Sequence, residues 1–261
     1  MLSAERQETI SRMVSQHGAV RTIEMAEEFG VTDETIRKDL MALEQAGKLT
    51  RVHGGAIRPE RLLDELPLNQ RQLINRAEKA AIARAAVGRI QPNETIFLDA
   101  SSTTLTLAEM LPEIPLTVLT NAHPVFGVLE ARPDLDLICT GGLFEPRSRS
   151  FIGLSAETAL RRFHIHRMFF SGSGLDLDRG ISESNSRQAA FKERVISCAE
   201  DIVFLADHTK IGAKSAFFFA QVADLTCLVT DAATDPALLQ TIQDRGVEVI
   251  AGPLDPTPTR H

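Results

Sequence analysis

The second part of the chain alternates short apolar runs with segments of helical periodicity, and this alternation constrains the fold more than any other feature. Such alternation is typical of βα units, in which parallel strands form a sheet that helices cover. We therefore predict an α/β domain with a mostly parallel sheet over residues 77–261. Strands are expected at six runs, namely residues 95–98, 116–119, 135–138, 168–170, 202–205 and 227–229.

Polar or glycine-rich loops directly follow five of these runs. In sheets of this kind ligands bind beyond the carboxyl ends of the strands, so we expect the loops to form one small-molecule site. The first loop joins a strand to a helix N-terminus and carries hydroxyl groups, which suits an anion, although the same residue types also cap helices. The five loops are residues 99–104, 120–122, 140–142, 171–174 and 207–210.

Residues 1–58 have a different pattern, which predicts three helices and a small hairpin. Apolar residues at helical spacing mark two helices that are separated around residues 16–18. Thr32 then has the position of an N-cap for a third helix, and residues 49–56 alternate like a hairpin with a glycine tip. The inward face of the third helix is formed by Ile36, Leu40 and Leu43.

The net charge of −7 does not by itself indicate a nucleic-acid partner, so the distribution of cations matters more. Residues 37–58 hold five lysine or arginine residues and only two acidic residues. Arg37 and Lys38 lie near the exposed start of the third helix, where they can contact base edges and phosphates, although an arginine-lysine pair alone more often marks a solvated face. Asp39 would repel phosphate, and we predict that it pairs with Arg6.

The N-terminal segment resembles the helix-turn-helix signature of the DeoR family of bacterial regulators. Arg6, Ile10 and Val14 fall at its four-residue intervals, and residues 32–40 match its later positions, while residues 51–56 resemble the family's wing. The resemblance implies a winged helix-turn-helix over residues 1–58 that binds double-stranded operator DNA. The residues expected to contact DNA are Thr22, Thr32, Glu34, Thr35, Arg37, Lys38, Arg51, His53, Gly54 and Gly55.

Residues 78–231 resemble the sensor domain of the same family, which is similar in fold to ribose-5-phosphate isomerase. The resemblance implies a phosphorylated sugar or a similar anion as effector, with its phosphate on the loop of residues 101–104. Two departures, Ser102 in place of glycine and His166-Arg167 in place of Asp-Lys, leave the ligand open. The residues expected to bind it are Asp99, Ser101, Ser102, Thr103, Thr104, Asn121, Gly141, Gly142, Arg147, Gly172, Glu183 and Lys210.

Between the two domains we predict a linker at residues 59–76, because Pro59 and Pro67 interrupt the helical pattern. The polar N-terminus is unlike a signal peptide, and no apolar run approaches the ~20 residues that span a bilayer. We therefore expect a cytoplasmic protein without a membrane partner.

Metal and cofactor sites are not predicted. The three cysteines, at positions 139, 198 and 227, are widely separated and suggest neither a zinc site nor a disulfide. His164 and His166 form an H-x-H pair without an evident third ligand. No motif indicates a cofactor.

Two functions remain in competition at this point, a transcriptional regulator and an isomerase-like enzyme for sugar phosphates. The loop at residues 171–174 carries serine and glycine where the enzymes are rich in aspartate, and a fused DNA-binding module has no role in an isomerase. We therefore assign no catalytic residue and predict a regulator that forms a homodimer or homotetramer. The family implies a repressor of a carbohydrate catabolic operon, while the residues leave the sign of regulation open.

Overall fold

The computed structural model describes residues 3–17, 19–46, 48–52, 54–57 and 66–254. The chain forms two compact units that divide between residues 63 and 64. Among the described residues, no helix combines the length and the apolar character needed to cross a membrane.

The first unit is a winged helix-turn-helix. Its three strands form an antiparallel sheet in the order β1-β3-β2, in which β2 and β3 are the predicted hairpin and β1 is a strand that the sequence did not predict. The elements are α1 (Ser3–His17), β1 (Ala19–Arg21), α2 (Thr22–Phe29), α3 (Asp33–Gln45), β2 (Thr50–Val52) and β3 (Gly55–Ile57).

Helix α3 has the predicted start and the predicted buried face. The hydroxyl of Thr32 accepts the backbone N–H of Thr35 at 3.3 Å, which caps the helix. Gly30 ends α2 in the left-handed conformation, with φ of 63°, and turns the chain toward α3. The core of the unit includes Ile10, Val14, Ile36, Leu40, Leu43 and Leu49.

A buried ion pair joins α1 to α3. The Nε of Arg6 donates to Oδ2 of Asp39 at 2.6 Å, which confirms the predicted pairing. Ser3 and Gln7 each donate to Oδ1 of Asp39 at 2.9 Å. Burial by itself raises the pKa of Asp39, but the hydrogen bonds from Arg6, Gln7 and Ser3 outweigh it and hold that pKa below its ordinary value.

The substitution Asp39→Asn is expected to lower the free energy of unfolding of this unit by about 3 kcal/mol near neutral pH, because it leaves a buried guanidinium without its counter-charge. Since the pKa of Asp39 is lower in the folded than in the unfolded chain, the stabilisation is complete above the unfolded value of about 3.9 and is lost as the pH falls through the folded value. Scanning calorimetry of both proteins from neutral to acidic pH measures the difference.

Below about pH 4 the gap between wild type and Asp39→Asn should shrink. Glu28→Gln removes an exposed carboxylate from α2 and serves as the control. A gap that stays constant down to the lowest pH would contradict a depressed pKa for Asp39.

The second unit is built on a seven-stranded sheet in the order β15-β14-β12-β9-β4-β5-β6, in which every neighbouring pair is parallel. The elements are α4 (Leu68–Arg71), α5 (Arg76–Val87), β4 (Thr95–Leu98), α6 (Ser102–Ala108), β5 (Leu116–Thr120), α7 (His123–Leu129), β6 (Leu135–Cys139), β7 (Leu143–Glu145), β8 (Ser150–Ile152), α8 (Leu154–Leu160), β9 (Ile165–Phe170), β10 (Gly174–Asp176), β11 (Gly180–Glu183), α9 (Ser186–Ile196), β12 (Ala199–Leu205), β13 (Phe217–Ala220), β14 (Cys227–Asp231), α10 (Pro236–Gln243) and β15 (Glu248–Gly252).

All six predicted strands belong to this sheet, which confirms the α/β prediction. Successive residues of a strand point to opposite faces, and accordingly Phe97 belongs to one buried cluster while Ile96 and Leu98 belong to another. Both faces are therefore covered. The edge strand β15, the hairpin β7–β8 and the small sheet β10-β11-β13 were not predicted.

The predicted linker, residues 59–76, is too long at its C-terminal end. Leu68 is buried in the core of the second unit, and its N–H donates to the carbonyl of Arg147 at 3.0 Å. Pro67 occupies the N-cap of α4, so this proline precedes a helix and does not interrupt one. The second unit thus includes the described residues 66–76, ahead of the predicted start at residue 77.

Candidate functional site

The N-terminal half of α3 presents the polar side chains that the sequence predicts to contact DNA. Glu34, Arg37 and Lys38 are exposed, on the side opposite the buried Ile36 and Leu40. The hydroxyls of Thr32 and Thr35 lie 3.0 Å apart at the start of the helix. Hydroxyl and cationic groups at the start of one exposed helix can contact base edges and phosphates.

An open cleft of about 560 Å³ lies between α3, the start of α2 and the hairpin. Thr22 is buried there, and its N–H donates to the carbonyl of Gly54 at 2.9 Å, which fixes the hairpin against α2. The structure thus brings five of the predicted residues onto one surface, while the predicted contact His53 lies outside the described residues. The lining consists of Thr22, Ile23, Asp33, Arg37, Leu40, Arg51, Gly54 and Gly55.

Local contacts fix the shape of the wing. Arg51 uses its backbone N–H and its Nε to bind the two carboxylate oxygens of Glu44, at 2.9 and 3.0 Å, and its side chain remains 39% exposed. Gly54 is exposed at the tip with φ of +83°, which favours glycine. A Cβ at Gly55 would lie 2.1 Å from the carbonyl oxygen of Val20, so the packing against β1 requires glycine.

Asp99 follows β4 in the second unit and is only 1% exposed. Its Oδ1 accepts the hydroxyl of Thr104 at 2.7 Å and the N–H of Ser101 at 3.2 Å. Its Oδ2 accepts the N–H of Ser171 at 3.3 Å and lies 3.0 Å from Nζ of Lys192. The acceptor positions of this carboxylate are therefore filled by the protein.

Lys192, on α9, is a buried residue that the sequence analysis did not single out. Its ammonium group pairs with Asp99 and Glu183 and donates to the carbonyl of Ser171 at 2.7 Å, which occupies all three protons. Burial lowers the pKa of Lys192, but the two carboxylates outweigh it and raise that pKa above its ordinary value. Burial raises the pKa of Glu183, but Lys192 outweighs it and lowers that pKa. We call Lys192, Asp99 and Glu183 the ion triad, which carries a net charge of −1.

The loop predicted to hold phosphate is buried and forms a helix cap. Ser101 Oγ accepts the N–H of Thr104 at 3.1 Å, and Thr104 Oγ1 in turn accepts the N–H of Ser101 at 3.3 Å. Ser102 and Thr103 are buried in the first turn of α6. The hydroxyls of Ser101 and Thr104 thus serve the capping box of α6.

Asn121 follows β5 at the same end of the sheet. The register pairs Leu98 with Thr120, which places Asn121 beside Asp99. Its Nδ2 donates to the carbonyl of Phe151 at 3.0 Å. Its Oδ1 is buried and has no hydrogen-bond partner in the part of the chain that the structure describes. A buried acceptor in this state is costly unless a ligand or water supplies a donor.

Several cationic side chains interact near the carboxyl end of β12. Lys79, on α5, is 6% exposed, and its Nζ donates to the carbonyls of Arg71 and Ile74 at 2.5 Å each. Burial lowers the pKa of Lys79 to about 8; the charges of Lys210 and Arg71 add to this depression, while those of Asp207 and Glu78 oppose it. Three cations and two carboxylates therefore interact around Lys79. We call Arg71, Lys79, Lys210, Asp207 and Glu78 the cationic cluster.

The turn before α5 connects the cationic cluster to the sheet. Asn75 adopts the left-handed conformation with φ of 51°, which asparagine tolerates, and its Nδ2 donates to Oδ1 of Asp207 at 3.1 Å. Asp207 follows β12, and its neighbour His208 places Nδ1 3.1 Å from the buried Oδ1 of Asp231, which ends β14. Sequence reasoning singled out neither Asn75 nor Asp231.

The remaining residues that were predicted to bind the effector lie in the loops after β6, β7 and β9. Gly141 and Gly142 have φ of 62° and 121°, and a Cβ at Gly142 would lie 2.7 Å from the carbonyl oxygen of Ile152. Gly172 packs against Ile181 and Phe204. Arg147 is exposed in the loop between β7 and β8, where its carbonyl binds α4.

Across the described ranges, no group of three or more His, Cys, Asp or Glu side chains is placed to hold a metal ion. The rings of His164 and His166 contact each other with centroids 4.7 Å apart. His166 Nδ1 accepts the N–H of Thr95 at 3.0 Å, so this nitrogen already has a partner.

An exposed helix that presents Arg37 and Lys38 beside a wing, joined to an α/β unit with polar residues at its strand ends, is the organisation of a ligand-responsive DNA-binding protein. Comparison with family models agrees. Residues 6–61 match the DeoR-like helix-turn-helix domain, and residues 74–232 match the DeoR C-terminal sensor domain. The chain belongs to the DeoR family of helix-turn-helix transcriptional regulators.

Individual relatives span nearly the whole chain. The uncharacterized HTH-type transcriptional regulator YulB of Bacillus subtilis is 38% identical and aligns over 97% of this chain and 98% of its own length. The lactose phosphotransferase system repressor of Streptococcus mutans is 33% identical over 91% of this chain and 96% of its own. Among solved structures, ribose 5-phosphate isomerase A of Methanocaldococcus jannaschii matches 51% of this chain and 53% of its own, at 14% identity and a TM-score of 0.39.

Proposed function

We propose that this regulator is a cytoplasmic repressor of an operon for carbohydrate catabolism and that a phosphorylated sugar controls its binding to operator DNA. The similar Streptococcus protein is a lactose phosphotransferase system repressor, which supports the repressor assignment. The contact with DNA is assigned to the exposed start of α3 and to the wing. A homodimer or homotetramer binds repeated operator half-sites.

The cationic cluster is the observation that carries the ligand assignment. Three cations and two carboxylates interact there, which leaves a net charge of about +1 when Lys79 is protonated. This positive charge attracts a phosphate group, and charge-assisted hydrogen bonds are the strong ones.

A sensor is favoured over an isomerase because the buried charged groups are already engaged. General acid-base catalysis needs a group within hydrogen-bond reach of the substrate whose proton can move. Lys192 directs its three protons to Asp99, Glu183 and the carbonyl of Ser171, and Asp99 has its acceptor positions filled. These side chains stabilise the structure of the site, and their hydrogen bonds leave no proton for transfer to or from a substrate.

Control of DNA binding requires that the effector bind two conformations of the protein with different affinity. For an inducer, the conformation that binds operator DNA is the one with the weaker affinity for the sugar phosphate. The coupling is reciprocal, so operator DNA must weaken effector binding by the same factor.

A two-stage experiment tests the proposed function. Sugar phosphates are first screened by thermal shift with the full chain, and each ligand that raises the melting temperature is then added to a gel-shift assay with DNA upstream of the gene. We expect at least one sugar phosphate to stabilise the protein and to release it from this DNA. Absence of DNA binding at low salt would contradict the regulator, and stabilisation without any effect on DNA binding would contradict the control by ligand.

A further inference from the structure

Glu44, in the last turn of α3, binds one residue of the wing at two points. Its Oε1 accepts the backbone N–H of Arg51 at 2.9 Å, and its Oε2 accepts the Nε proton of the same arginine, with Nε at 3.0 Å. The backbone hydrogen bond fixes the position of β2, whereas the hydrogen bond to Nε fixes the direction of the side chain. Helix α3, which carries the predicted DNA contacts, thus also determines where the guanidinium group of Arg51 lies.

The ion pair between Glu44 and Arg51 contributes little to stability. Both side chains are 39% exposed, and solvent screens a pair of this kind. Arg51 instead lines the open cleft between α3 and the wing, together with Arg37 and Asp33. The contact with Glu44 therefore acts on a side chain that DNA can reach.

The contact with Nε leaves the far edge of the guanidinium group for DNA. The two terminal amino groups of Arg51 have no hydrogen-bond partner in the part of the chain that the structure describes. This edge can form paired hydrogen bonds with a base edge or a phosphate. A long side chain that is already held loses less conformational freedom on binding, and it reaches only acceptors that lie in one position. Holding Arg51 thus favours DNA whose acceptors match that position over DNA whose acceptors do not.

We propose that Glu44 is a positioning residue for operator recognition: it orients the guanidinium group of Arg51 in the cleft beside α3 and thereby raises the preference for operator over unrelated DNA. The role is indirect, because a carboxylate repels phosphate and does not itself favour binding to DNA. Its charge also reduces the attraction of Arg51 to the phosphates of unrelated DNA. The inference rests on the proposed contact between the wing and DNA, and it adds a residue that the sequence analysis did not name.

Glu44→Gln separates the two hydrogen bonds. The amide oxygen of glutamine can still accept the backbone N–H of Arg51, but its amide nitrogen is a donor and cannot accept the Nε proton. The variant therefore retains the contact that fixes β2 and loses the one that orients the guanidinium group. We expect the ratio of operator affinity to scrambled-DNA affinity to fall by about three- to tenfold, because Arg51 must then be ordered when it binds. For scrambled DNA the slope of log affinity against log salt should become steeper by up to about 1, since Arg51 is released to bind phosphate.

Arg51→Ala supplies the background that distinguishes positioning from a structural role. Its backbone N–H remains, so Glu44 can still fix β2 but has no guanidinium group to orient. Adding Glu44→Gln to Arg51→Ala should change the affinity ratio by less than about twofold. Glu28→Gln removes an exposed carboxylate from α2 of the same unit and should leave the ratio unchanged. Fluorescence anisotropy of the full chain with labelled DNA from upstream of the gene and with a scrambled duplex of equal length measures the ratio, and scanning calorimetry checks that each variant is folded.

The possible results are distinguishable. A fall in the ratio that occurs with Arg51 present and disappears in Arg51→Ala supports the proposal. An equal fall in both backgrounds shows that Glu44 acts through the backbone of β2 and overturns the positioning role. An unchanged ratio in Glu44→Gln, or in Arg51→Ala alone, also overturns it, while the binding of operator DNA stands. A wild-type protein that binds no DNA at low salt overturns the proposed function and this inference together.

Discussion

Lys192→Met is expected to lower the free energy of unfolding of the second unit by about 4 kcal/mol near neutral pH, because it leaves two buried carboxylates without their shared counter-charge. Asp99 and Glu183 both lie against the ammonium group in the wild-type protein, so its loss exposes each to the charge of the other. The chain contains no tryptophan or tyrosine, so intrinsic fluorescence is a poor reporter. Scanning calorimetry of the full chain measures the change, with separate transitions expected for two units.

The loss of unfolding free energy in Lys192→Met is expected to become smaller as the pH falls. In the wild-type protein the pKa of Glu183 is lowered, so its stabilising contribution is present above the unfolded value of about 4.3 and is lost as the pH falls. In the variant the two buried carboxylates lack their counter-charge and repel each other when ionised, so its stability falls as the pH increases. Both effects shrink the difference between the proteins toward acidic pH.

Lys214 provides a matched control for Lys192. It also pairs with a carboxylate, Asp176, at 3.0 Å, but its side chain is more than half exposed. Lys214→Met is expected to change the stability little, because solvent screens such a pair. The double substitution of Lys192→Met with Glu183→Gln removes the repulsion and should recover part of the loss. A loss for Lys192→Met as small as that of the control would contradict the buried triad.

The sequence predicted those helices and strands whose own apolar residues show the required spacing. Ile36, Leu40 and Leu43 repeat at helical spacing and are buried as that spacing requires, and the six apolar runs of the sheet all form strands. Strand β1 and the helix α4 were missed because each is short and depends on its partners. Pairing with β3 stabilises β1, and the burial of Leu68 stabilises α4.

The sequence analysis named residues of the candidate ligand site that follow strands and did not name those that lie inside helices. Lys79 and Lys192 occupy positions on the buried stripes of α5 and α9, three residues before Ile82 and Val195 respectively. A charged residue on an otherwise apolar stripe was the available signal, since it must find a partner when buried. Which partners it finds depends on the packing of distant strands, and the sequence pattern does not contain that information.

The hydroxyl loop shows how one pattern admits two structures. A strand followed by serine and threonine at a helix start suits both an anion site and a helix cap. In the structure Ser101 and Thr104 form the cap, and Thr104 also binds Asp99. Individual hydrogen bonds decide between a helix cap and an anion site. The sequence pattern does not specify these bonds, so it left both alternatives open.

Removal of Arg37 and removal of Lys38 are expected to affect DNA binding in different ways. Successive helical residues are about 100° apart around the axis, so the two side chains face different parts of the DNA. Arg37 lines the cleft between α3 and the wing together with Arg51, whereas Lys38 is exposed outside that lining. We assign Arg37 to base edges and Lys38 to phosphate.

Arg37→Ala should therefore weaken binding to the operator by about ten- to a hundredfold and affect unrelated DNA much less, since a base contact is worth about 1–3 kcal/mol. Lys38→Ala should weaken binding to both DNAs by a similar factor and reduce the slope of log affinity against log salt by about 1. Fluorescence anisotropy with labelled operator and scrambled DNA over a range of salt measures both quantities. Arg161→Ala, at an exposed position in the second unit, controls for the loss of one cation. The reverse pattern, with Lys38 governing the preference for operator and Arg37 the salt dependence, would exchange the two roles and show that the cleft beside the wing follows the DNA backbone.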